Sequence, residues 1–65
     1  MNGHIKVEKD GQHVGLLAFW NGKSHSYIMD EWVRLQADSA KYDKGKNVIL
    51  ILEIDGETID TVSIP

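Results

Sequence analysis

Val48-Ile49-Leu50-Ile51-Leu52-Glu53-Ile54-Asp55-Gly56-Glu57-Thr58-Ile59-Asp60-Thr61-Val62-Ser63-Ile64 is the stretch that decides the fold class of this chain. Two β-rich runs flank Asp55-Gly56, and such a pair favours a type I′ hairpin turn because both central residues must take positive φ. Strands are expected at 47–54 and 57–64. The first is apolar at every position from Val48 to Leu52, the pattern of a central strand covered on both faces. A two-residue turn also sets register. It places Leu52 opposite Ile59 and Leu50 opposite Thr61 on one face, with Ile49 opposite Val62 and Ile51 opposite Asp60 on the other.

Moving toward the start of the chain, the same punctuation recurs at Asp10-Gly11 and Asn21-Gly22. Strands are expected at 3–9, 12–20 and 23–29, with Val7 facing Val14, Ile5 facing Leu16, and Leu16 facing Tyr27. One sheet face then collects Ile5, Val7, Val14, Leu16, Ala18, Tyr27 and Met29. Gly15, inside a strand, marks a bulge or a close backbone approach. Between the two β regions, Asp30 is a good N-cap residue and Gly45 suits the left-handed position past a helix end, so a helix is expected from 30 to about 44. Glu31, Arg34, Asp38 and Lys41 form a narrow charged stripe on it, typical of a solvated face. The expected architecture is a single α+β domain, residues 1–65, in the order β-β-β-α-β-β, with antiparallel hairpins and one amphipathic helix. One helix cannot cover two sheet faces. Either the sheet curls toward a partial barrel or a partner covers the apolar residues left on the far side.

Sixty-five residues stand near the lower limit for self-sufficient core burial, which supplies only about 3–5 kcal/mol in so small a domain. That margin disfavours an active site built from strained, buried polar groups. The chain has no cysteine, which excludes disulfides and thiolate metal sites and fits a reducing compartment. A cytoplasmic protein without a leader or a bilayer-spanning segment is expected. The net charge of −3 is unevenly spread. Residues 1–29 carry a balance of +1 and residues 30–65 a balance of −4, with no basic residue after Lys46. An all-acidic segment repels phosphate backbones and attracts basic surfaces.

No residue constellation points to catalysis, a metal or a cofactor. The expected strand register keeps His4 and His13 about four residues apart on one face, roughly 13 Å, and turns His25 to the other. Ser24-His25-Ser26 on a strand would point both hydroxyls away from the imidazole. Gly3, Gly11, Gly22, Gly45 and Gly56 are separated by whole strands, and no Gly-x-Gly or Gly-Lys-Ser/Thr cluster forms a phosphate loop. Phe19, Trp20 and Tyr27 could stack on single-stranded nucleic acid, but Lys6 and Lys23 make a poor positive groove, so direct nucleic-acid binding is the weakest reading.

Surfaces carry the remaining signal. Glu53, Asp55, Glu57 and Asp60 form an acidic hairpin suited either to docking on a basic surface or to protecting an edge strand. Leu17, Phe19, Trp20 and Ile28 are the candidate apolar and aromatic anchors. Leu17, Phe19 and Ile28 are expected on the face away from the helix, matched there by Ile49, Ile51, Val62 and Ile64. In size, charge and layout the whole chain resembles the small acidic inhibitors encoded by phages and mobile elements, such as anti-CRISPR proteins and phage antitoxins. That resemblance implies a non-enzymatic, stoichiometric antagonist of a basic, nucleic-acid-handling protein. The alternative is an assembly module forming a homo-oligomer through an apolar sheet face.

Overall fold

A computed structural model describes residues 1–65. The order is β1 (Gly3–Lys9), β2 (Gln12–Trp20), α1 (His25–Tyr42), β3 (Val48–Ile54) and β4 (Glu57–Ile64). The four strands form one antiparallel sheet in the order β2-β1-β3-β4, so the domain is α+β with its two hairpins joined side by side through β1 and β3. Asp10-Gly11 and Asp55-Gly56 make the expected turns, with positive φ at both residues of each pair.

The stretch expected as a third strand, 23–29, is instead the start of α1. Ser24, not Asp30, is the N-cap: its backbone is extended and its Oγ accepts the Tyr27 N–H at 3.1 Å. Asn21-Gly22 turns no hairpin. Gly22 N–H donates to Asn2 Oδ1, and Met1 and Lys23 exchange hydrogen bonds between the N-terminal ammonium, the Lys23 backbone and the Met1 carbonyl. Tyr27-Ile28-Met29 suits either period, and tertiary burial decides. Ile28, Trp32, Leu35 and Ser39 recur at helical spacing along the side of α1 that meets the sheet. The helix ends at Tyr42, where the Asp43 N–H bonds Ser39 O, and Gly45 takes the expected left-handed conformation two residues later.

Each hairpin starts in the expected register and is then shifted by β-bulges. In β2 the extra residues are Val14 and Leu17, so Val7 faces Gly15 and Ile5 faces Ala18, rather than Val14 and Leu16. Gly15 lies next to the first bulge. In β4 the extra residue is Ile59, so Leu52 faces Asp60, Leu50 faces Val62 and Ile49 faces Ser63. A one-residue slip turns every later side chain over. Val62 and Ile64, expected on the far face, therefore join the core under the helix.

The core is one cluster of Ile5, Trp20, Ile28, Trp32, Val48, Leu50, Leu52, Ile54 and Ile64. Alternate residues of β3 supply four of these, and the intervening Ile49 and Ile51 are only half-buried on the face opposite the helix. The central strand is thus covered on one side alone. At the N-terminal end Gly3 lets the layers close: a Cβ there would meet Glu53 O at 3.2 Å and Ile28 Cδ1 at 3.4 Å.

Candidate functional site

Cross-strand pairing lays the open face out in three rows. The first runs Phe19, His4, Glu53, Thr58; the second Leu16, Lys6, Ile51, Thr61; the third His13, Glu8, Ile49, Ser63. Phe19 is 66% exposed and Leu16 55%. Between these side chains and the isoleucines lies a charge network. Glu53 bridges Lys6 Nζ at 2.8 Å and His4 Nε2 at 3.0 Å. The hydrogen bond from Lys6, followed by the charges of Lys6 and His4, holds the Glu53 carboxyl below the usual carboxylate range against the opposing effect of burial.

The candidate anchors separate. Phe19 shares its row with Glu53, which brings one aromatic and one acidic candidate together on the open face. Trp20 is buried in the core opposite Gly3. Ile28, expected on the far face, is fully buried on α1. Leu17, expected there too, lines a groove of about 330 Å³ on the helix side with Leu35, Ser39 and Tyr42.

The acidic hairpin is tied into the fold at three of its four residues. Glu53 is paired as above. Asp55 Oδ1 accepts the Asn2 N–H at 2.9 Å while the Asp55 N–H donates to Asn2 O, fixing the turn against the N-terminal segment. Asp60 is turned to the helix side by the Ile59 bulge. There its Oδ2 accepts the Trp32 indole N–H at 3.0 Å and its Oδ1 accepts the Thr61 N–H. Glu57 alone forms no ion pair or side-chain hydrogen bond, and it is exposed beside the turn. Trp32 as the hidden partner of Asp60 was missed from sequence, because 28 residues separate them.

No cluster of three or more histidine, cysteine, aspartate or glutamate side chains converges on a metal-sized space. His25 opens the helix at the surface, and the Ser24 and Ser26 hydroxyls lie 3.3 Å apart around the N-cap. No helix is long and apolar enough to cross a membrane. No family model, curated protein or solved structure matches the chain.

The two flanks of α1 differ. On the β2 side, Arg34 pairs with Glu31 at 2.7 Å and Asp38 at 3.5 Å, and its hydrogen bond lowers the Glu31 pKa. On the β4 side, Val33, Ala37 and Ala40 join Val62, Ile64 and Pro65 around an apolar groove of about 350 Å³.

Proposed function

We propose that this chain is a small non-enzymatic protein-binding module. It acts as a stoichiometric antagonist of the phage or mobile-element kind, anti-CRISPR or antitoxin-like, and docks on a basic, nucleic-acid-handling protein. The observation that carries the reading is Phe19. A large aromatic side chain stands mostly in solvent on a sheet face that no element covers, in the same row as a carboxylate that two cross-strand partners hold in place. Aromatic anchors in the centre of a patch tend to dominate interface energy, and Leu16 beside Phe19 widens the apolar contact.

The surroundings favour a basic partner. Asp55 and Glu57 lie at the same end of the sheet as Phe19, since Gly3 pairs with both Trp20 and Ile54. With a net charge of −3, these carboxylates speed encounter with a basic surface and make it salt-sensitive, while the apolar anchors set the lifetime of the complex.

The test is retention of a basic host protein on the immobilised chain, compared with a Leu16→Ser/Phe19→Ser variant of matched fold. Loss of retention in the variant, with weaker binding at higher salt for the wild type, supports docking through this face. Equal retention by both proteins contradicts it. Self-association that the same variant abolishes would favour the assembly reading instead.

A further inference from the structure

The chain holds two Asn-Gly pairs, Asn2-Gly3 and Asn21-Gly22, which read alike in sequence and stand differently in the fold. In such a pair the main-chain nitrogen of the glycine can reach the asparagine Cγ, and a glycine has no Cβ to hinder the approach or to restrict φ. Gly3 is buried at the start of β1, where it pairs with both Trp20 and Ile54. Asn2 is tied down beside it: its N–H donates to Asp55 Oδ1, its carbonyl accepts the Asp55 N–H, and its Oδ1 accepts the Gly22 N–H. Asn47 is followed by the buried, β-branched Val48, and its Nδ2 donates to Asp10 Oδ1 at 3.1 Å. Asn21-Gly22 is different. It belongs to neither strand nor helix, both residues are exposed, Gly22 has a φ of 70°, and the Asn21 carboxamide makes no hydrogen bond. The Gly22 N–H is held by Asn2 Oδ1 at 3.2 Å, an exposed bond at the long end of the usual range.

We infer that Asn21 is a site of spontaneous deamidation in the folded protein, and that the Asn2 carboxamide slows the reaction there. Base takes the Gly22 N–H proton, and the freed nitrogen attacks Asn21 Cγ. The new N–C bond closes a succinimide, the Cγ–Nδ2 bond breaks, and Nδ2 leaves as ammonia with a proton from solvent. Water then opens the ring. Addition at Cγ restores the main chain with an aspartate side chain at position 21. Addition at the main-chain carbonyl leaves isoaspartate, with the chain running through the former side chain. Either product adds one negative charge to a chain of net charge −3. The new carboxylate stands at the end of the sheet that carries Asp55 and Glu57, since Trp20 before it pairs with Gly3 and Gly3 with Ile54. Isoaspartate also lengthens the main chain just before Ser24, the N-cap of α1. No partner takes part, so the reaction is independent of the docking proposed above.

The two Asn-Gly pairs supply the test, each serving as the other's control. The whole chain is incubated in warm, mildly alkaline buffer, folded in one sample and unfolded by guanidinium chloride in the other, with circular dichroism as the check on fold. Peptide mapping by mass spectrometry follows amide-to-acid conversion at each asparagine and separates aspartate from isoaspartate. In denaturant both Asn2 and Asn21 are expected to convert. In the folded chain Asn21 is expected to keep converting, at a rate that rises with hydroxide, while Asn2 slows at least about tenfold relative to it because its reaction must await local opening. Asn2→Ala removes the acceptor on the Gly22 N–H and is expected to react severalfold faster at Asn21 while remaining folded. A folded chain in which Asn21 is as inert as Asn2, or in which Asn2 converts as fast as Asn21, overturns the inference. An Asn2→Ala chain with an unchanged rate at Asn21 overturns the part given to the Asn2 carboxamide.

Discussion

Asp60 shows how much one carboxylate can be committed to structure. Its two oxygens accept separate donors, the Trp32 indole N–H and the Thr61 N–H, so both hold the bulge and the helix together. Asp60→Asn leaves one oxygen for two donors and should cost on the order of 1 kcal/mol, read by chemical denaturation with tryptophan fluorescence. Glu57→Gln, at an exposed residue without a side-chain partner, should leave stability unchanged, which makes it the clean probe of charge at the acidic end. Glu53 behaves differently again. Its pKa is lowered in the folded state by the Lys6 hydrogen bond and the Lys6 and His4 charges, so the chain unfolded at acid pH binds the proton more tightly. The stability from this group is therefore present above the ordinary carboxylate value of 4.5 and is lost as pH falls through the lowered folded value. Denaturation of wild type and Glu53→Gln should give curves that differ at neutral pH and converge in acid.

At the scale of elements, the helix start carries the clearest consequence. Because Ser24 supplies the N-cap, Ser24→Ala should destabilise the domain by about 1 kcal/mol, while Asp30→Ala, at an exposed position inside the helix, should cost far less. The opposite order would restore a helix beginning at Asp30. The Asp-Gly hairpins, the left-handed Gly45 and the apolar run of β3 were legible in the sequence because each rests on local chemistry. The first turn of α1 was not, since Asn21-Gly22 before Tyr27-Ile28-Met29 reads equally as a hairpin. The bulges at Val14, Leu17 and Ile59 were hidden for another reason. The Ile59 bulge brings Val62 and Ile64 beneath the helix, which strict alternation from the turn cannot express, whereas the two bulges of β2 leave Ala18 on its expected face and turn Leu16 to the open one. Only Gly15 hinted at one of them.

For the whole molecule, the governing fact is that a four-stranded sheet carries a helix on one side only. The exposure of Phe19 follows directly, as does the half-burial of Ile49 and Ile51. The candidate site was legible in part: Phe19 and Glu53 could be named as apolar and acidic candidates, but their shared row depends on β1 lying between β2 and β3. Ile28 lies in the core because its segment is the first part of α1 rather than a strand, and Trp20 because it packs across Gly3 on the helix side. The central claim is that a protein partner docks over Phe19, and site-specific photocrosslinking tests it most directly. A benzophenone side chain placed at position 19, and separately at position 41 on the exposed side of the helix, would be irradiated in the native host. Covalent capture of the same basic protein from position 19 and not from position 41 is the predicted result. Capture from position 41 alone, or only uncrosslinked monomer from position 19, would contradict the account.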